Sequence, residues 1–433
     1  MDAAIFFGTA ELLSESKTEA KPRPSADIPP CELRKPLPNG QRRKDDAWLA
    51  RSRSEQSMVS RRSVLAGAAS MLGAPLINRN RFSLFAGNKA VATGAEYSAQ
   101  TIDVVRESIV IDMLGLLTLD YKKLAVWQTR PNGFQPAELQ RLKNSGITIF
   151  HPAVGFTTGN IYDESLKDIT GWNLFIAANP GDFLRVDGVA DLEAAKKLGK
   201  IGIIVGQQNS EHFRTVDDVD HFYAMGQRVS QLTYGPNRIG GGSTDPRDGG
   251  LTGYGAEIVK RMNALGMAVD ISHCADRTTL DAIEASRKPV LITHANCRAL
   301  MKTSARCKSD DAIQKMAAKG GVMGITMVRF FVGAANMVTM EDVLDHIDHV
   351  VEVAGVEHVG IGSDVDLDGR DHAAAGAGSA PARRNDLDGI AYQQKIFDVT
   401  EGLLRRNYNP DHIKLILGGN FQRALNQIWT NDA

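Results

Sequence analysis

From about residue 100 onward the chain alternates short β-branched apolar runs with stretches in which apolar residues recur every three or four positions. The runs are 108–113 (SIVIDM), 147–151 (ITIFH), 201–206 (IGIIVG), 229–234 (VSQLTY), 268–273 (AVDISH), 290–294 (VLITH), 321–327 (GVMGITM) and 358–364 (HVGIGSD). They lack a strict period of two, which suits strands covered on both faces. The intervening stretches include DLEAAKKLG, YGAEIVKRMNALG, RTTLDAIEASR, DDAIQKMAAKG and MEDVLDHIDHVVEVAG. Each carries apolar residues at helical spacing, and several end in Gly, the residue a helix C-terminus favours. Strand and helix in regular alternation, about eight times over, predict an α/β fold of the (β/α)8 TIM-barrel type across residues 100–433. A doubly wound open sheet is the competing architecture, but no Gly-rich phosphate turn follows the first run.

Composition narrows this little. The chain has 433 residues, 43% hydrophobic and 23% charged, an ordinary globular profile. A formal net charge of -1 gives no reason to expect nucleic acid or an anionic membrane as partner. Four cysteines, Cys31, Cys274, Cys297 and Cys307, are too few for a disulfide framework. No apolar run in the mature part is long enough to span a bilayer.

The N-terminal region differs. Residues 14–57 are polar, Pro-rich and charged, so 1–57 read as a disordered or mis-called extension. SRRSVLAGAASMLGAPLI, Ser60 to Ile77, then sets two arginines before a short, weakly apolar Ala/Gly segment. That is the pattern of a twin-arginine export signal over 58–92, with Ala90-Val91-Ala92 as a cleavage site and Met58 as an alternative start. A plain amphipathic helix is the competing reading. The signal implies a bacterial periplasmic or exported protein.

A barrel gathers its functional groups where its strands end. Those ends carry Asp112, His151, Gln207, Gln208, Tyr234, His273, His294 and Asp364. His273 and His294 close successive strands, and adjacent strands lie about 4.8 Å apart. Two imidazoles so placed can meet at one ion with nitrogen–metal bonds of about 2.1 Å. Asp364, at the last strand, can reach across as a ligand or as the base that handles a water proton. Taken singly, each histidine is as readily a satisfied rim residue. Arg306 follows the sixth strand in a rim loop, where a guanidinium can hold a carboxylate in bidentate fashion or simply be solvated. IGGGSTDPRDGGLTGYG lacks the Lys-Ser/Thr ending of a phosphate loop and reads as a rim loop before a helix starting near Thr252. The Gly/Ala-rich segment 368–389 is a flexible insertion or a lid carrying His372. Cys274 and Cys297 lie near the histidines, but no oxyanion-hole signal accompanies them.

With these residues in place, the chain resembles the membrane (renal) dipeptidase family of zinc peptidases over about 103–430. The likeness is carried by the stretch from LTYGPNRIGGGSTDPRDGG through VDISHC and LITHAN, by HVGIGSDVDLDG and by ILGGNFQRAL. The resemblance implies a (β/α)8 barrel of the metal-dependent hydrolase type that cleaves dipeptides with two zinc ions. Carried over, His273 and His294 match the ligands of the second zinc. Arg306 matches the arginine that binds the substrate carboxylate, and Asp364 the aspartate of proton transfer. Tyr234 stands where the family has a substrate-contacting histidine.

The departures are specific. The family's first strand ends Asp-x-His-x-Asp, and here the two metal-binding positions read Leu114 and Leu116. The place of the bridging glutamate after the third strand falls at Val205, with Gln207 and Gln208 nearby. Leucine and valine cannot ligate a metal, and an amide is a poor bridge. The expectation is therefore a divergent member holding one zinc ion rather than two, with His151 or His372 as supplementary ligands. Its partner would be a dipeptide or another small molecule, and a homodimer is an open option. A hydrolase of lactones or N-acyl compounds, and a barrel that binds without catalysis, are the alternatives. Asp112 is expected not to ligate but to be a buried rim carboxylate, bonded to backbone or to a neighbouring strand end.

Overall fold

The structure, a computed structural model, describes residues 97–372 and 384–430. The extension and signal expected over 1–92 lie outside the described residues. Among the described residues ten short strands, all parallel, form one sheet. They are β1 (Ile111–Asp112), β2 (Ile149–Phe150), β3 (Phe183–Arg185), β4 (Ile201–Ile203), β5 (Gly206–Gln207), β6 (Val229–Gln231), β7 (Ala268–Asp270), β8 (Leu291–Ala295), β9 (Val322–Ile325) and β10 (Val359–Ile361). Pairing runs β3-β4-β2-β1-β10-β9-β8-β7-β6-β5.

The two ends of that order meet in the chain. β4 opens the predicted run 201–206 and β5 begins at its last residue, Gly206, the two parted only by Ile204 and Val205. The Ile204 N–H donates to Phe150 O at 2.9 Å, and Val205 O accepts from Arg228 N–H at 2.8 Å. Val154 pairs with Gln207 in a further parallel bridge. The run thus bonds to the β2 side through one edge and the β6 side through the other. Counted this way the eight predicted runs make the eight barrel strands, and the fold is the expected α/β barrel. β3, which flanks β4, was not among the predicted runs.

Each strand divides its side chains between two layers. Ile111, Ile149, Val229, Ala268, Leu291 and Val322 cluster with Phe421, Ala424, Leu425 and Ile428 of the last long helix, Asn420–Trp429. Ala268, Leu291 and Val322 are the first residues of their strands, so this helix closes the end of the barrel remote from the strand C-termini. Neighbouring strand residues such as Phe150, Val269, Ile292 and Met323 face the second layer, beneath the outer helices.

The outer helices follow the predicted stretches: Val189–Leu198, Gly253–Leu265, Asp276–Ala285, Asp310–Ala318 and Met340–Ala354. Thr252 caps the second of these, accepting from the Gly255 N–H, as the sequence led us to expect. Gly199 and Gly266 end the first two in the left-handed region, at φ 65° and 79°, where a Cβ would be strained.

Candidate metal and substrate site

The rim at the strand C-termini is built around Asp270, the last residue of β7. Its carboxylate is buried and accepts four hydrogen bonds, from the N–H and hydroxyl of both Ser272 and Thr293. The Thr293 hydroxyl, having given its proton to Asp270, accepts from His294 Nδ1 at 2.8 Å. That assigns the neutral Nδ1–H tautomer to His294 and leaves its Nε2 a bare lone pair. His294 Nε2 lies 3.0 Å from His273 Nε2. Burial, with Arg306 as the first-ranking charge, holds both imidazoles well below the usual histidine range. Both are therefore neutral, the state a ligand nitrogen needs.

Arg306 is buried in the loop after β8. One of its terminal nitrogens donates to Ser272 O and the other to His294 O, each at 2.5 Å. The guanidinium thus ties together the two strand ends that carry the histidines, and its Nε has no partner. Tyr234 stacks on His273, ring centroids 4.4 Å apart and planes 19° from parallel.

Asp364 sits just beyond β10 with a left-handed backbone, φ 56°, uncommon for a residue with a Cβ. Its N–H donates to Leu114 O at 2.8 Å. Arg370 Nη1 reaches both its backbone oxygen, at 2.5 Å, and its carboxylate, at 2.9 Å. Burial raises the Asp364 carboxyl above its ordinary value, while Arg370 and then Arg306 oppose that rise.

The remaining expected residues take other places. His151 donates from Nδ1 to Met113 O at 2.6 Å, and its buried Nε2 has no partner. Gly206 is required there, since a Cβ on it would fall 2.1 Å from that nitrogen. His372 is exposed at the start of the segment after β10. Among the described residues no three His, Cys, Asp or Glu side chains converge as a metal cage, so neither histidine completes one. Burial raises the thiols of Cys274, to about 11, and of Cys297, so neither is an activated nucleophile. Asp112 accepts from the Ser363 N–H at 2.8 Å and its hydroxyl at 2.5 Å, with Lys395 Nζ at 3.8 Å. It is the strand-end-bonded carboxylate expected of it.

Three residues near the rim were not foreseen. Asp270 had a signal, an acidic residue inside an apolar run three positions before His273. Arg370 had a weaker one, the arginine after the Asp-Gly that follows the last strand. Asp168, a helical residue far from the motifs in sequence, had none.

The two Nε2 atoms suit one ion. His273 and His294 would hold it through these nitrogens, and the Thr293–Asp270 relay would keep the His294 ring oriented as a ligand.

The model of the membrane dipeptidase family (Peptidase family M19) matches residues 99–433. The chain belongs to that family. Among curated members it is 32% identical over 236 residues to dipeptidase verJ of Clonostachys rogersoniana, covering 54% of this chain and 56% of that one. It is 26% identical over 248 residues to dipeptidase 3 of Rattus norvegicus, covering 55% and 48%. The chain thus spans about half the length of the curated relatives it matches. Among solved structures, an amidohydrolase from Pseudomonas aeruginosa aligns with TM-score 0.65 at 29% identity, covering 76% of this chain and 99% of that one. Family members of known structure include proteins described as metallopeptidases.

Proposed function

We propose that this chain is a one-metal hydrolase that cleaves the amide bond of a dipeptide, or of a related small amide bearing a carboxylate. The observation that carries the reading is the pair of neutral imidazoles whose Nε2 atoms lie 3.0 Å apart. A divalent ion such as zinc, when bound there, supplies Lewis acidity and lowers the pKa of water. His273 and His294 would hold it. Asp364 accepts the proton of the attacking water, and Arg370 opposes the upward shift that burial gives that carboxyl and aims it. Tyr234, packed on His273, closes one wall of the site, and Arg306 with Arg370 makes the rim cationic for a substrate carboxylate.

A single ion is favoured by what stands at the other metal positions. Leu114, Leu116 and Val205 are all buried, and their side chains fill space with hydrocarbon. Asp112, the remaining carboxylate of the first strand end, is committed to Ser363 and faces Lys395. Loss of the two-metal clamp would cost transition-state stabilisation, so slow turnover or a narrowed substrate range is expected. The export reading rests on SRRSVLAGAASM alone.

The test is hydrolysis of a dipeptide panel by zinc-loaded protein, with His273→Ala alongside. Turnover abolished by the substitution supports the reading, and absence of turnover in the unaltered chain overturns it.

A further inference from the structure

Gln207, Gln208 and Asn209 close β5 and open the turn that follows it, and all are buried. The Gln208 N–H donates to Val154 O at 2.8 Å, and its Nε2 donates to Ala153 O at 2.8 Å. Asn209 Nδ2 donates to Phe156 O at 2.6 Å. With the bridge between Gln207 and Val154, these bonds fix the backbone 153–156, the loop that leaves β2. Asn209 Oδ1 also accepts from Asn237 Nδ2 at 2.8 Å, and Asn237 Nδ2 reaches back to Leu232 O at 3.0 Å. The loop that leaves β6, and carries Tyr234, is therefore pinned to the same asparagine.

Gly155 lies within the first of these loops. A Cβ built on it would fall 2.4 Å from Tyr234 Cδ2 and 2.8 Å from Cε2, so its backbone is packed on that ring. The phenol ring in turn stacks on the His273 imidazole, centroids 4.4 Å apart and planes 19° from parallel. The two histidines differ in what orients them. His294 has the Thr293–Asp270 relay at its Nδ1. Among the described residues the His273 ring has a hydrogen-bond contact only with His294 Nε2. Rotation of an imidazole about χ2 is soft, so packing must set its angle, and Tyr234 supplies the flat surface.

We infer that Tyr234, backed by Gly155, is a positioning residue that holds the His273 ring at the angle bringing its Nε2 to that of His294. One ring of the pair is thus set by hydrogen bonds and the other by stacking. A ring already oriented loses less freedom when it takes up an ion, so the stack strengthens metal binding. Gln207, Gln208 and Asn209 act one step further back, by fixing the loop that presses on the phenol. The inference rests on the one-metal reading for its use, but the hold on the ring is a property of the metal-free chain.

The test measures zinc affinity of the full chain by chelator competition, and follows the His273 ring protons of the metal-free chain by NMR. Tyr234→Ala is expected to weaken zinc binding about threefold to tenfold, the worth of one aromatic pair, and to abolish the ring-current shift of His273. Tyr234→Phe keeps the stack and should keep both the affinity and the shift. Gly155→Ala leaves both rings in the chain but drives a methyl into the phenol, so it should reproduce the loss seen in Tyr234→Ala. Urea midpoints establish that each variant is folded. Unchanged zinc affinity in Tyr234→Ala, or a loss in Tyr234→Phe equal to that in Tyr234→Ala, overturns the inference. If the unaltered chain binds no zinc, the one-metal reading falls and the NMR comparison decides alone. His273 resonances unmoved in both Tyr234→Ala and Gly155→Ala then overturn the role of Tyr234, and resonances moved in both but not in Tyr234→Phe support it.

Discussion

The Nε2 atoms of His273 and His294 meet at 3.0 Å across the ends of two adjacent strands, and a relay through Thr293 to Asp270 fixes which nitrogen of His294 is bare. Thr293→Val removes the acceptor for His294 Nδ1–H and keeps the side-chain shape. Ring orientation is then no longer fixed, and metal affinity should fall about 10–100-fold. Competition against a chelator measures this. Unchanged affinity would show that the relay is not part of the site.

Arg370 opposes the burial that raises Asp364. In Arg370→Ala the carboxyl rises further, so the carboxylate form is lost at a higher pH. The acidic limb of the kcat/KM–pH profile should move upward, and the rate at neutral pH should fall by about 100-fold if Asp364 is the base. Arg370→Lys should recover part of the shift. A uniform loss at all pH values, with no movement of the limb, would assign Arg370 a purely structural role.

Asp112 and Lys395 face each other in the interior, both with fully buried side chains. Burial lowers the Lys395 pKa, and Asp112 is the first group that counters it. Asp112→Ala removes the main counter-charge, leaving only Asp366 to offset the ammonium, and should cost about 3 kcal/mol in urea unfolding. The double variant Asp112→Ala/Lys395→Met should recover much of that loss, because the orphaned charge is gone.

Asp168 has a folded-state pKa raised from 3.8 to about 7 by burial. The folded chain therefore keeps a proton that the unfolded chain releases, and the stability this group confers is lost as pH rises between those values. Asp168→Asn removes the dependence. The Tm of the variant relative to the unaltered, ligand-free protein should climb across that window and level off above it. A pH-independent difference would mean that Asp168 titrates normally.

The sequence reveals the barrel because eight short β-branched runs recur between stretches with a clear helical period. It misses β3, where Phe183–Arg185 is short and its charged residue masks the pattern. The rim is legible wherever a polar residue ends a strand, as at His273, His294 and Asp364. Partners contributed by distant elements are not legible. Nothing in DGRD says that Arg370 folds back on Asp364, and nothing near Asp168 says that Gln207 will hold it. Arg306 shows the same limit from the other side. Its presence at the rim is readable, but the two backbone carbonyls it binds exist only once β7 and β8 are paired.

The central claim is a single ion held by the histidine pair, with hydrocarbon at the other metal positions. Metal content per chain by elemental analysis, on the zinc-loaded and dialysed protein and on His273→Ala, tests it most directly. The account predicts one equivalent in the unaltered chain and loss of that equivalent in the variant. Two equivalents in the unaltered chain, or one that survives His273→Ala, would contradict it.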